Sequence, residues 1–227
     1  MADEGHDATE LLQRAGAGDQ LALGELFDRH RARLRRMVQI RLAQRLKGRI
    51  DPSDVLQETY LELSRSLANY LKNPILPFFL WLRFLTGKKL QAIHRHHLGV
   101  QMRDAHREIS LQNGAWPQAS SESLAAQLLG KLTSPSQAAM RAELRARVQE
   151  ALNGMPLLDR EVLALRHFEQ MSNAETAQVL GITESGASNR FVRALKRLRT
   201  ILVDVPGFCE DGEKAGTDKT PFDLDDE

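Results

Sequence analysis

Apolar residues recur along this chain at intervals of three and four, and glycine and proline interrupt them at a few sharp points. Leu11 and Leu12 are the apolar contacts of a short helix predicted over residues 7–15; Gly16 and Gly18 end it, and Asp19 is placed to cap the next. Leu21, Leu23, Leu26, Phe27, Leu34, Met37, Val38, Ile40, Leu42 and Leu46 then predict one long helix running to Gly48. Asp51 caps a third, with Pro52 in its first turn, where the missing N–H costs nothing. Its buried stripe is Val55, Leu56, Thr59, Tyr60 and Leu63, extended by Leu67 and Tyr70, while Asp54, Gln57, Glu58 and Glu62 stand outside it. Pro74 and Pro77 set a turn. Phe78, Phe79, Leu80, Trp81, Leu82, Phe84 and Leu85 follow, apolar on too many sides for a simple surface helix. Ser, Gln, Ala and Gly dominate residues 108–133, which read as a linker containing one short helix from Ser123 to Leu132. Beyond it come an amphipathic helix over residues 136–152, a break at Pro156, and another helix over 159–169 with Val162, Leu163, Leu165 and Phe168 inward. The pattern therefore predicts an all-α chain of two small helical domains, residues 1–107 and 134–205, joined by a flexible linker (108–133) and followed by an acidic tail (206–227).

The stretch from Ser172 to Arg199 organises the second domain. Ser172 and Glu175 have capping-box spacing, so that each side chain takes an orphan backbone N–H of the other. Ala174, Ala177, Val179 and Leu180 give a small apolar face, and Gly181 follows where a helix must stop and turn left-handed. Thr183 or Ser185 caps a second helix with Ala187, Phe191, Ala194, Leu195, Leu198 and Leu202 on one side. A short helix, a Gly turn and a basic second helix form a helix-turn-helix pattern. An αα-hairpin with a solvated charged face has the same outline, so the pattern alone leaves both readings open. The outer face tips the balance, because no acid lies between Glu184 and Asp204. Ser185, Ser188 and Asn189 in its early turns, with Arg190 and Arg193 beside them, suit base edges; Lys196, Arg197 and Arg199 suit phosphates.

Charge changes the picture where its distribution is uneven. The formal net charge is +1, but residues 210–227 hold eight acids and two lysines, a net −6, which leaves +7 on the rest. A basic body with an acidic tail suits a polyanionic partner, with the tail a candidate competitor or a mere solubiliser. Nine Arg and Lys residues and no acid lie between Arg29 and Arg49, a run that repels itself unless something acidic lies near. Trp81 and its aromatic neighbours, followed by Lys88, Lys89, Arg95 and Arg103, have the composition of a single-strand site, although core packing is the commoner reason for most such aromatics. His94, His96 and His97 have no carboxylate or cysteine at ligand spacing, so no metal or cofactor is expected. One cysteine, Cys209, no signal segment at the N-terminus and no apolar run of spanning length predict a soluble cytoplasmic protein without membrane insertion.

Taken together these residues resemble a family. The run from Ser134 to Arg199 looks like the fourth conserved region of extracytoplasmic-function (ECF) sigma factors, within the sigma-70 family. DPSDVLQETYLEL, from Asp51, resembles the core-polymerase-binding helix of that family's second region, and FFLWLRFLTGKKLQAIHRHH, from Phe78, resembles its segment that reads and opens the minus-ten element. The resemblance spans residues 19–104 and 134–202, in the family's order. It implies that Asp51, Asp54, Val55, Gln57 and Glu58 dock on core RNA polymerase, and that Trp81, Arg83, Lys88, Lys89 and Arg95 contact the minus-ten element. It further implies that the helix carrying Ser185, Ser188, Asn189, Arg190, Arg193, Lys196 and Arg197 enters the major groove of the minus-thirty-five element. Lys88 stands where the family commonly has Asn, and Gly186-Ala187-Ser188-Asn189 departs from its usual recognition run. The expected function is promoter-directed transcription initiation without catalysis of its own, with promoter DNA and core polymerase as partners and an anti-sigma factor as a further candidate. A stand-alone helix-turn-helix regulator leaves DPSDVLQET without a task. A nucleic-acid enzyme would need converging carboxylates, whereas Asp51, Asp54, Glu58 and Glu62 share one helix face.

Overall fold

Asp19 starts the second helix as its position predicts: its carboxylate accepts from the N–H groups of Leu21 and Ala22 at 3.0 and 3.1 Å. The protein is seen here as a computed structural model that describes residues 3–98, 117–130 and 138–203. Helices α1 (Asp3–Gly16), α2 (Gln20–Arg41), α3 (Pro52–Lys72) and α4 (Phe78–Leu98) form the amino-terminal half. Helix α5 (Ser121–Leu129) lies in the connection, and α6 (Ala138–Asn153), α7 (Leu157–Leu163), α8 (Asn173–Leu180) and α9 (Glu184–Val203) form the carboxy-terminal half. Among the described residues there is no β-strand; the backbone makes one isolated bridge, Lys47 to Ile50. The acidic tail lies outside the described residues.

Two elements differ from the expectation. Helix α2 stops at Arg41 rather than at Gly48: Leu42 is extended, one 3₁₀ turn spans Gln44–Leu46, and Gly48 sits at φ +88°. The break lets Leu42 and Leu46 turn into the core, where both are buried. The N–H of Ala43, freed at the break, donates to Nε2 of His94 at 3.2 Å. His94 is buried, which holds its imidazole below the usual histidine pKa and suits this acceptor role. Helix α7 also does not run unbroken to Glu169; it widens into a π turn at Ala164–Phe168, closed by Glu169 N–H on Ala164 O at 3.0 Å.

The linker is a third difference. Its described part is not a bare tether, because Leu124, Ala125 and Leu129 of α5 are buried in one cluster with Leu144, Val148 and Leu152 of α6 and with Ile40 of α2. Ser120 caps α5, and its own N–H donates to Ile40 O at 2.8 Å. An apolar stripe on a short helix is only stable when covered, and here both halves cover it.

Between the halves lies a buried charge cluster. Arg41 Nη2 donates to Glu161 Oε2 at 2.7 Å, and Arg41 Nη1 lies 2.5 Å from Glu169 Oε1. Arg83 Nε donates to Glu169 Oε2 at 2.6 Å. All four side chains are at most 7 % exposed. The other oxygen of Glu161 accepts the N–H of linker residue Ala119 at 2.6 Å. At the rim, Arg33 donates to the carbonyl of Glu169 at 3.0 Å and to Glu175 at 3.1 Å, and Arg36 donates to Gln170 at 2.8 Å. The one-signed run in α2 thus meets carboxylates supplied from more than a hundred residues away. Burial alone would push the Glu169 carboxyl up, but Arg41 and Arg83 outweigh it and hold the carboxyl below the usual range.

His30 gives this architecture an acid limit. Its ring packs 5.2 Å from Phe79 and 5.8 Å from Phe78, and burial, aided by the charge of Arg33, pushes its pKa down to about 4. The unfolded chain therefore binds a proton on His30 before the folded one does. Stability is expected to be intact above about pH 6.5 and to fall as pH drops toward 4. The check is a series of thermal melts across this window: wild type should lose stability there, and His30→Gln should show a flatter profile.

Candidate nucleic-acid interface

The helix-turn-helix is built by local chemistry. Ser172 and Glu175 close the capping box, at 3.0 and 2.8 Å. Gly181 ends α8 in the left-handed region at φ +65°, where a side chain would be strained. Thr183, rather than Ser185, caps α9: its hydroxyl accepts the Gly186 N–H at 3.1 Å. Ala187, Ala194 and Leu198 are buried against the other helices of this half, with Phe191 and Leu195 partly covered. Of the small face read into α8, Ala177, Val179 and Leu180 are buried, and Ala174 is exposed at the helix start.

That packing turns a defined stripe outward. Ser185, Asn189, Arg193, Lys196 and Arg197 are exposed, and Ser188 is partly so. Arg193, Lys196, Arg197 and Arg199 make no ion pair among the described residues, so a one-signed ridge faces solvent. Arg190 departs from it. Its guanidinium donates to the buried carboxylate of Asp159 at 2.7 Å, which ties α9 to α7. It braces the helix in this conformation and does not point outward as its neighbours do.

A second surface lies on α3 and α4. Asp51 caps α3 by accepting the Ser53 N–H at 2.7 Å, while Asp54 reaches back to the Asp51 N–H at 3.3 Å. These backbone bonds hold the Asp51 carboxyl below its ordinary pKa. Val55 is fully buried and seats the helix rather than lining its surface. Asp54, Gln57 and Glu58 are exposed, and Leu61, one turn further on the same face, is 51 % exposed. Leu61 was not legible as part of a site from spacing alone, although it falls outside the buried stripe at i+3 and i+4 from Glu58 and Gln57.

On α4 the predicted residues separate. Phe79, Arg83, Thr86 and Leu90 share a buried stripe, so Arg83 faces Glu169 and the core, not solvent. Its place among apolar residues at helical spacing was the signal for this. Trp81 is half-buried, stacked on Tyr70 at 4.2 Å. Lys89 lies 3.8 Å from Glu58 and 3.4 Å from Glu62, bridging α4 to α3. The opposite stripe holds Phe84, Lys88 and Arg95. Phe84 is 41 % exposed with the Lys88 ammonium 5.6 Å from its ring centre, and Arg95 is exposed. Phe84 is the exposed aromatic that composition alone did not distinguish from core. Among the described residues no group of His, Cys, Asp or Glu is arranged to hold a metal, and no helix is long and apolar enough to cross a membrane.

Comparison with known proteins bears directly on these surfaces. Residues 145–198, which include α7, α8 and most of α9, match the family model described as Sigma-70, region 4. Over 203 residues the chain is 30 % identical to the ECF RNA polymerase sigma factor SigD of Mycobacterium tuberculosis, covering 89 % of this chain and 87 % of that protein. The chain belongs to the ECF family of RNA polymerase sigma factors. The RNA polymerase sigma factor NccH of Alcaligenes xylosoxydans is 28 % identical over 195 residues, 85 % of this chain and 92 % of that one. CnrH of Cupriavidus metallidurans is 29 % identical over 201 residues, covering 86 % and 95 %. These alignments run through both halves, so the relationship is not confined to the helix-turn-helix. As a sigma factor the chain works with core RNA polymerase in promoter-directed transcription initiation, not as a stand-alone regulator.

Proposed function

We propose that this sigma factor divides its task among three exposed helix faces. The α9 ridge of Ser185, Asn189, Arg193, Lys196 and Arg197 enters the major groove of the minus-thirty-five element, with Ser188 at its edge. The α3 face of Asp54, Gln57, Glu58 and Leu61 docks on the polymerase. The α4 stripe of Phe84, Lys88 and Arg95, with Trp81 behind it, holds the unpaired minus-ten bases. Asp51, Val55, Lys89, Arg83 and Arg190 orient these faces. The observation that carries the reading is the α9 ridge, one-signed and without an ion-pair partner among the described residues, on a helix fixed by a capping box and a left-handed glycine.

Two expected results test it. Arg193→Ala should cost about 1–3 kcal/mol at the cognate element and relax discrimination there. Lys196→Ala should weaken cognate and random DNA about equally and lower the salt slope by about one. Equal effects of both variants on both DNAs would remove the base-reading role from Arg193. On the amino-terminal half, Asp54→Ala/Glu58→Ala should reduce co-elution with core polymerase while leaving duplex DNA affinity intact, because an acidic rim changes encounter with a basic partner. Unchanged co-elution would take the docking face away from α3.

A further inference from the structure

We propose that Arg45, Arg49 and His97 form a phosphate-binding pocket at the carboxy-terminal end of α4, and that it takes the backbone of the promoter strand whose minus-ten bases lie on that helix. The choice of strand rests on the α4 reading above; the affinity for phosphate does not.

The basic run from Arg29 to Arg49 leads to this site. It holds nine cations, and such a run repels itself unless anions meet it. Seven of the nine are engaged within the fold. Arg29 and Arg31 pair with Asp7, Glu25 and Asp28, Arg33 with Glu175, and Arg41 with Glu161 and Glu169. Arg36 donates to Gln170, Lys47 donates to Ser123, and the charge of Arg35 acts on Asp51. The side chains of Arg45 and Arg49 remain, exposed and without a hydrogen bond or ion pair among the described residues.

The fold brings these two together. Leu46 is buried and anchors the 3₁₀ turn Gln44–Leu46, which leaves Arg45 at the surface. The Leu46 carbonyl accepts the N–H groups of Arg49 and Ile50, each at 3.0 Å, and Gly48 at φ +88° lets the chain turn back. His94 fastens α4 to the same break through the Ala43 N–H, so His97, three residues on, faces it as well. The result is a pocket of about 450 Å³ lined by Arg45, Leu46, Arg49 and His97, with a buried leucine as its floor and no carboxylate in its lining. The dipole of α4 favours cations on its last turn, but it does not explain two arginines supplied by another segment.

Chemistry selects the ligand. Two guanidinium forks beside an imidazole suit the oxygens of a phosphate, which each fork can meet with two N–H groups. Position selects the source. Arg95, His96 and His97 are all exposed and succeed one another by about 100° around α4. They carry a basic band from the stripe of Phe84 and Lys88 around the helix end to the pocket. A strand leaving Phe84 therefore meets basic side chains all the way to Arg45 and Arg49.

The test has two arms, each run on wild type, Arg45→Ala/Arg49→Ala and Arg45→Lys/Arg49→Lys. In the first, the full chain is titrated with inorganic pyrophosphate while the His97 ring signals are followed by NMR. Wild type should shift and saturate; the alanine variant should not shift, at an unchanged melting temperature. In the second, the holoenzyme binds a single-stranded oligonucleotide carrying the minus-ten bases and flanking nucleotides. The alanine variant should lose two phosphate contacts, which flattens the salt dependence by about 1.4. Its deficit against wild type should therefore shrink about sevenfold between about 50 and 200 mM salt. The lysine variant keeps both charges and should keep the slope. Neutral methylphosphonate linkages, placed one at a time in the flanks, should weaken wild type at one or two positions and leave the alanine variant indifferent there.

Unchanged slopes together with no pyrophosphate shift, or with a shift that persists in the alanine variant, overturn the pocket. A shift lost in the alanine variant at an unchanged slope keeps the phosphate site and overturns the DNA strand as its source, leaving a small phosphorylated ligand. A changed slope with His97 signals unmoved keeps the arginines on the strand and removes His97 from the site. Phe84→Ala separates this proposal from the reading beneath it. Wild-type oligonucleotide binding by that variant faults the α4 assignment, and the pyrophosphate arm alone then decides the pocket.

Discussion

Glu169→Ala is expected to cost the docked protein about 3–5 kcal/mol, the effect of leaving buried charges without their counter-charge. Glu169 meets Arg41 with one oxygen and Arg83 with the other, and its backbone carbonyl takes a further bond from Arg33. Alanine removes both charge contacts where water does not reach: Arg41 keeps only Glu161, and Arg83 loses the carboxylate to which its Nε donates. Urea unfolding followed by circular dichroism should show the midpoint fall and the transition broaden, as the two halves lose their coupling. Glu169→Gln, which keeps the shape and one acceptor, should lose less. An alanine variant with wild-type midpoint and slope would show that the cluster contributes nothing to docking. The acid response is expected in the same direction: the Glu169 carboxyl is held below its ordinary value, so its contribution is present at neutral pH and is lost as pH falls below about 4.5. That window lies below most of the His30 window, so the two groups are separable in one titration of stability.

The second large effect is expected at Phe84. Its ring is the large aromatic surface left open on α4, with Lys88 and Arg95 along the same stripe. Stacking of one unpaired base on such a ring is worth about 1–3 kcal/mol. Phe84→Ala should therefore weaken binding to a single-stranded minus-ten oligonucleotide about 5- to 150-fold in the holoenzyme, while duplex binding through α9 is unchanged. Trp81→Ala should behave differently. Trp81 stacks on Tyr70 and lies near Phe78, so its loss should lower the melting temperature along with DNA binding. Wild-type oligonucleotide affinity in Phe84→Ala would move the stacking role off this ring.

Where charged residues fall on an apolar stripe, their spacing carries information that residue type hides. Arg41 follows Leu34 and Val38 at helical intervals, Arg83 lies between Phe79 and Leu90, and Glu161 and Glu169 flank Leu165. Read by type, Arg83 was assigned to the minus-ten element and Arg41 fell in a one-signed basic run; read by position, both belong inside, as do Glu161 and Glu169. Such a residue is only tolerated inside when an opposite charge meets it. The rule predicts that partners exist without saying which they are.

What the sequence by itself determined was local. Asp19, Asp51, Ser172, Glu175 and Gly181 start and stop helices through bonds made within a few residues, so their roles follow from spacing alone. The basic ridge of α9 follows too, because helical periodicity fixes which side chains share a face. The tertiary structure decided which faces are free. Arg41 finds Glu161 across 120 positions, Arg83 finds Glu169 across 86, and the connecting helix α5 is covered by α2 and α6. No local rule sets those pairings, since a helix states the direction of each side chain and leaves open what stands opposite it.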